Sequence, residues 1–541
     1  MENGTVPNPS SVSASSGSIC GLWVDSAGKA HLSIARSDGG REERVETFKL
    51  FAWLTASAPS VPEADVSIEP LRGEGRFTHL LHAGSFAEFE AALEQVKKGE
   101  VSVDAIRPLE NQFLLQRRER LFRDMTFGQL RRCQLDIETA SESEGQFSDA
   151  TKPGDRVLAI GLQFGARQRL LVLEAMTDEA EKKLLLEFNA VLQAEDPDVI
   201  EGHNVFKFDF DYLRQRAKRF KVPCAWGRFG QKATFRNSRL KVAERWVDFT
   251  RADLPGRTVV DTYLLVQMYD ITTRELTSYG LKDVAVYFGI TPEDAAGKGE
   301  RTYLAGDKIH RAYVDEREKF LAYLADDLRE TKGIADLLLP TYFEQVRTFP
   351  ILLQDATLRG TTSKIDLLFL EDYYHARQAC PSPLEVAPFE GGYTRSFKEG
   401  VFKNVLHFDV ASLYPSLLLH IGRNPRNDSL GVFIPMLSRL REYRLKFKLL
   451  ARTAETDELR AEYQARQSSF KILINSFYGY LGFANARFGD GELAAEVTRR
   501  GRELLQLLIE EFARHGCTIL EADTDGIYLA SEEFFHRPEH L

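Results

Sequence analysis

Apolar and polar positions organise most of this chain into short strands and amphipathic helices. Near the start, "CGLWVDSAGKAHLSIAR" (Cys20 to Arg36) reads as a hairpin with "SAGK" at its turn. "SFAEFEAALEQVKKG" carries a helical period, with Ser85 placed as N-cap and Gly99 just past the end. Further on, strand and helix patterns alternate. "RCQLDIET", "RVLAIGLQFG" and "RLLVLEA" have strand character, "DEAEKKLLLEFNAVLQAE" is an amphipathic helix, and "DVIEGHN" is a strand that leads into a turn. "KFLAYLADDLRETKGIADLLL" predicts a long helix closed by Pro340. Residues 341–388 read as a connector with helical parts. From Phe389 onward the pattern gives strands, two helices, then strands again. The fold class is α/β and α+β, in several domains.

Composition narrows this picture. The chain has 541 residues, 43% hydrophobic and 28% charged, enough for about three or four domains. A net charge of -10 argues against binding polyanions with the whole surface but leaves room for a local basic groove. Five scattered cysteines form no CxxC pair, which points away from zinc and disulfides and toward a reducing cytoplasm. No apolar run reaches the ~18 residues that span a bilayer, so no membrane is expected. The Ser-, Pro- and Asn-rich start reads as a disordered tail and not a secretory signal.

Two groups of carboxylates carry candidate chemistry. In the first, Asp136 and Glu138 sit two apart on a strand and share a face. Asp209 opens a helix after "GHNVFKF", and Tyr323 and Asp327 stand four apart on the long helix. Four acids aimed at one point repel one another unless cations intervene. Two magnesium-like ions are what hydrolytic phosphoryl transfer requires, one activating water and one stabilising the leaving oxygen. Taken singly, Asp-Ile-Glu is also a common solvated strand edge, Asp209 also suits a helix N-terminus, and Tyr323 with Asp327 also suits a surface pair.

In the second group, Asp409 ends an apolar strand, and "SLYPS" turns into an apolar helix with Pro415 near its start. Asp523 and Asp525 lie in "DTDG", read as strand–turn–strand with Gly526 easing the turn. Alone, that motif equally describes a plain hairpin turn. Between these acids the spacing predicts two antiparallel helices. Arg441, Arg444, Lys448 and Arg452 form a basic stripe on the first. On the second, capped by Thr456, the residues Gln464, Gln467, Lys471, Asn475 and Tyr478 form a polar stripe backed by Phe470, Leu473, Ile474 and Phe477. Arg and Lys so arranged suit a triphosphate, and Gly479 allows close approach of backbone or base.

Together these residues resemble the family B DNA polymerases. "DVASLYPS", "KILINSFYG" and "DTDG" are similar to the family's three polymerase motifs. "DIE", "NVFKFD" and "YLADD" are similar to its three proofreading exonuclease motifs, and "FEGGY" to the linker motif between the modules. Added to the disordered tail (1–18), a mixed N-terminal domain (19–124) and the connector (341–388) read from composition and pattern, the resemblance implies that residues 125–340 are a ribonuclease H-like 3′–5′ exonuclease domain. After these it implies a palm in two parts (389–430 and 484–541) around helical-hairpin fingers (431–483).

Its implied roles follow the motifs. Asp409 and Asp525 hold two metals with help from the Val410 carbonyl, and Asp523 is an outer ligand. Ser412 and Leu413 meet the triphosphate, and Tyr414 is the steric gate against ribose. Arg444, Lys471 and Asn475, with Lys448 as a further candidate, bind the triphosphate. Tyr478 and Gly479 line the nascent base pair. Asp136, Glu138, Asp209 and Asp327 bind the exonuclease metals, Tyr323 orients the attacking water, and Asn204 and Phe208 seat a frayed 3′ end. Gly391, Gly392 and Tyr393 contact DNA. The implied cofactor is Mg²⁺, two ions per site, with Mn²⁺ as an alternative, and the implied partners are primer–template DNA and deoxynucleoside triphosphates.

Glu521 stands where the family usually has an aromatic residue, as a further weak ligand or pointing away. Only "IYLASEEFFHRPEHL" follows the third motif, so a thumb is expected to be absent or supplied by a separate polypeptide. The alternatives are a chain active alone only as an exonuclease and a non-catalytic polymerase-like subunit.

Overall fold

A computed structural model describes residues 17–57, 65–142, 146–293 and 301–530. Nearly all of the expected N-terminal tail, and residues 531–541, lie outside them. The chain forms two compact units. One holds residues 1–50, 84–87 and 106–360, and the other holds 51–83, 88–105 and 361–541. The stretch expected as a single N-terminal domain is therefore shared between both.

The first unit is built on a five-stranded sheet. Its order is Arg167–Val172, Val157–Phe164, Arg132–Thr139, Val199–Gly202, Thr258–Asp261. The first three strands pair antiparallel and the last three parallel. Burial of nearly every residue in Val157–Phe164 explains its unbroken apolar pattern. Helix Asp178–Glu195 starts where the Thr177 side chain accepts from the Ala180 N–H at 3.2 Å. Its Leu184, Leu185, Phe188, Val191 and Leu192 fill the core on a helical period.

The long helix does not stop at Pro340. It runs from Arg317 to Val346 with the proline inside. Pro340 cannot donate to the preceding turn. Leu339, Phe343 and Val346 are nevertheless fully buried, and Phe343 packs on Phe122 and Phe127 at ring distances of 5.5 and 5.6 Å. That burial outweighs the local breaker.

The second unit contains a four-stranded sheet ordered Thr394–Ser396, Thr518–Asp523, Gly526–Ala530, Val405–Asp409, antiparallel throughout. Its inner face, with Ile519, Ala522, Ile527 and Leu529, packs on helix Gly491–Arg514 through Leu505, Leu508 and Phe512. That helix is an addition to the expected order, and Asp490 caps it by accepting from the Glu492 and Leu493 N–H groups. The two stripe-bearing helices are Phe433–Thr453 and Asp457–Leu481, and Thr456 caps the second. Tyr443 lies against Phe470, and Phe447 against both Tyr463 and Phe470, the crossing pattern of an antiparallel pair. Among the described residues no helix is long and apolar enough to cross a membrane.

Candidate active sites

The first site lies inside the sheet unit. Strand Arg132–Thr139 presents Asp136 and Glu138, and helix Arg317–Val346 presents Tyr323 and Asp327. Asp136, Glu138 and Asp327 each offer a carboxylate oxygen within 4.8 Å of the others, the one such group of potential metal ligands among the described residues. Asp209 lies beside them but outside that group. It opens helix Asp209–Arg219, and its Oδ1 accepts from the Ile137 N–H at 3.1 Å. Asn204 takes a left-handed φ of 67°, and Asp261 holds this turn by accepting from the Asn204 and Phe206 N–H groups. Phe208 packs on Tyr212 at 5.5 Å.

The electrostatics are those of acids short of cations. Burial, then Asp209, Asp327 and Glu138, push the Asp136 carboxyl well above its ordinary range. Burial and Asp327 do the same to Glu138. Burial raises Asp209 to about 8, and it raises Asp327 to about 6 against the pull of Arg301 and Lys282. Hard oxygen donors crowded in this way fit a divalent ion such as Mg²⁺.

Two cations reach the cluster that no motif announced. Lys282 donates to the Tyr323 hydroxyl at 2.7 Å and lies 4.4 Å over its ring. Arg301, fully buried, donates to Asp327 and Glu330. Both come from the segment between the second and third motifs, where a lysine or arginine carries no distinctive spacing.

The second site lies on the outer face of the four-stranded sheet. Asp409 pairs with Gly526, which pairs in turn with Asp523. The Val410 N–H donates to the Asp525 carbonyl at 2.8 Å, and the Thr524 N–H to the Tyr393 carbonyl at 2.7 Å. Thr394 donates to Asp523 at 3.0 Å. Burial, then Asp409, raises the Asp525 carboxyl above its ordinary range. Asp409 and Asp523 are exposed.

The turn differs from its expected form. Thr524, at φ 57°, takes the left-handed residue, and Gly526 does not. Gly526 is needed for close approach instead, because a Cβ there would stand 2.6 Å from His407 Nε2. Glu521 is exposed two residues from Asp523, so it shares the acids' face and stands opposite Tyr528 in register.

The helical pair and the sheet meet at Ser412, which takes a left-handed φ of 55°. Arg444 Nη1 donates to Ser412 Oγ at 2.8 Å. Its Nε is buried without a hydrogen-bond partner among the described residues, and burial and Arg441 lower its hold on its proton. The Tyr414 and Tyr478 rings pack at a tilt of 39°, with centroids 4.2 Å apart. Lys448, Lys471, Asn475 and Gly479 are exposed, while Leu413 is buried and its N–H donates to the Val410 carbonyl at 3.2 Å. At Gly392 a Cβ would lie 2.8 Å from Thr524 Oγ1 and 2.9 Å from the Tyr414 hydroxyl. Arg502, also absent from the expected set, donates to the Glu390 and Gly391 carbonyls at 2.9 and 2.7 Å.

Comparison with known proteins assigns both regions. Residues 116–284 match "DNA polymerase family B, exonuclease domain" and residues 425–530 match "DNA polymerase family B". The chain is 29% identical to a DNA polymerase of Archaeoglobus fulgidus over 372 residues, 64% of this chain and 45% of that one. It is 27% identical to DNA polymerase 2 of Aeropyrum pernix over 439 residues, 74% of this chain and 51% of that one. The chain thus spans about half the length of the curated relatives it matches. The solved family B DNA polymerase from the hyperthermophilic archaeon Pyrobaculum calidifontis shares the fold. Its TM-score is 0.71 at 22% identity, over 95% of this chain and 74% of that one. One family match covers Asp136, Glu138 and Asp209, and the other covers the turn bearing Asp523 and Asp525, so the chain belongs to the family B DNA polymerases.

Proposed function

We propose that the chain carries two activities: template-directed nucleotidyl transfer on the outer face of the four-stranded sheet, and 3′–5′ trimming of DNA at the buried acids. One observation carries the first. Arg444 ties the helical pair to Ser412, three residues after Asp409, and leaves a buried Nε with no acceptor among the described residues. A triphosphate oxygen supplies that acceptor and the negative charge the guanidinium lacks.

In this reading Lys471 and Asn475, with Lys448, extend the contact along the triphosphate. The Leu413 backbone and the Ser412 hydroxyl meet it from the sheet side. Tyr414, braced by Tyr478, closes the space a 2′-hydroxyl needs. Tyr478 and Gly479 face the new base pair, and Gly391, Gly392 and Tyr393 guide the DNA. Asp409, Asp525 and the Val410 carbonyl hold the Mg²⁺ ions, with Asp523 outside them. At the buried site Asp136, Glu138, Asp209 and Asp327 hold the ions, Tyr323 orients the attacking water, and Asn204 and Phe208 receive the strand end. The ions supply charge neutralisation and activation of the attacking oxygen in both sites.

A reading as a trimming enzyme alone is favoured by one difference. Asp136, Glu138 and Asp327 converge within 4.8 Å, the last two buried, whereas Asp409 and Asp523 on the sheet are exposed.

Steady-state primer extension by Arg444→Ala tests the proposal. Loss of a charge-assisted contact predicts a rise in KM for the nucleotide of about 10- to 100-fold, with trimming unchanged. An unchanged KM refutes the role. Extension by neither protein, with trimming intact in both, selects the trimming-only reading.

A further inference from the structure

The buried acid site contains a guanidinium that its motifs do not specify. Arg301 has no exposed side-chain surface, and neither has Glu330, while Asp327 is almost as buried. Arg301 Nε donates to Glu330 Oε1 at 2.9 Å, and Nη2 donates to Glu330 Oε2 at 3.1 Å and also to Asp327 Oδ1. Nη1 donates to the Thr302 carbonyl. Glu330 is itself fixed, accepting from the Thr291 hydroxyl at 2.7 Å. The Thr302 N–H donates to Asp326 at 2.8 Å, and the guanidinium lies 5.2 Å from the Tyr323 ring.

We infer that Arg301 is a positioning residue for the buried metal site: clamped by Glu330, it fixes the carboxylate of Asp327 in the plane from which that group reaches Asp136 and Glu138. The inference rests on the trimming reading of this site.

Three points carry it. Glu330 follows Asp327 by three residues, so both carboxylates leave the same face of the helix and one planar guanidinium can bridge them. The bridge is over-determined: the same fork that holds Glu330 at two oxygens leaves Nη2 aimed at Asp327. Finally, the bridge does not satisfy the site. Asp136, Glu138, Asp209, Asp326, Asp327 and Glu330 make six carboxyls, and Lys282, Arg301 and Arg329 make three cations, so full ionisation leaves three negative charges. Arg301 therefore orients Asp327 without removing the need for divalent ions. A plain structural ion pair could join Arg301 to Glu330 without touching Asp327, and such buried pairs contribute little net stability.

The test uses the full chain and Mn²⁺, with binding read by calorimetry and by water-proton relaxation. Asp136→Ala first identifies the binding that belongs to this site. Arg301→Lys keeps the charge and loses the fork. It is expected to weaken Mn²⁺ at this site about 10- to 100-fold, the usual effect of losing a residue that orients a ligand. Its melting temperature should stay within a few degrees of the parent's, and trimming should return at raised Mn²⁺ with the KM for DNA unchanged. Glu330→Gln releases the clamp without leaving an unpaired charge and is expected to act in the same direction, so it carries the test if Arg301→Lys does not fold. Mn²⁺ affinity within twofold of the parent in a folded variant overturns the inference. If the parent binds Mn²⁺ through Asp136 yet trims no DNA, the trimming reading fails while the affinities still judge the clamp. No Asp136-dependent binding in the parent overturns both.

Discussion

Removing divalent ions should make the first unit lose stability as pH rises through neutrality. A carboxyl whose folded value stands above its ordinary one keeps its proton longer in the folded state. Between the two values the folded state binds more protons than the unfolded state, so stability falls as pH rises. Below the lower value both states are protonated and no penalty exists. For Asp327 the window runs from 3.8 to about 6, and for Asp209 from 3.8 to about 8. Between pH 6 and 8 Asp209 alone of these two still titrates, at about 1.4 kcal/mol per pH unit, so the loss is roughly 3 kcal/mol. The upward shifts of Asp136 and Glu138 act with the same sign. For a unit of this size that corresponds to a fall of at least several degrees in melting temperature. An ion that binds the ionised carboxylates releases their protons, so Ca²⁺ should raise the transition more at pH 8 than at pH 6. Scanning calorimetry of the chelated chain at the two pH values, with and without Ca²⁺, measures this, and Asp209→Asn should flatten the chelated profile. A chelated transition that is flat or rises from pH 6 to 8, or an Asp209→Asn slope equal to the parent's, refutes the reasoning.

Two further substitutions separate the sites. Gly392→Val puts a side chain where Thr524 Oγ1 and the Tyr414 hydroxyl stand within 2.9 Å of a Cβ. The displacement costs roughly 1–3 kcal/mol, so nucleotide incorporation should fall about 5- to 100-fold while trimming is unaltered. Lys282→Met removes the 2.7 Å bond to Tyr323. Single-turnover trimming should slow by about 10- to 100-fold, with incorporation rates as controls.

The acids were legible in the sequence because strand and helix periods place them. Asp136 and Glu138 share a strand face, and Tyr323 and Asp327 share a helix face. The stripe residues were legible for the same reason, with Phe470, Leu473, Ile474 and Phe477 all buried behind them. What escaped was set by contacts distant in sequence. Arg301 and Lys282 reach the acids from a segment with no periodic relation to them. Arg502 supports Glu390 and Gly391 from a helix that the element reading omitted. Turn propensity pointed to Gly526, but the left-handed position went to Thr524, and the glycine answers to the His407 ring on the neighbouring strand. At Pro340 the local signal was real, and buried neighbours on both sides overruled it.

The central claim is that two acid groups, one in each unit, catalyse two separable reactions. The most direct measurement assays one preparation of each variant for both, with Mg²⁺ present: release of nucleotides from a 3′-labelled single strand, and single-nucleotide addition to a primer–template. Asp136→Ala should abolish release and keep addition, and Asp525→Ala should abolish addition and keep release. Release that survives in Asp136→Ala, or addition that survives in Asp525→Ala, contradicts the account.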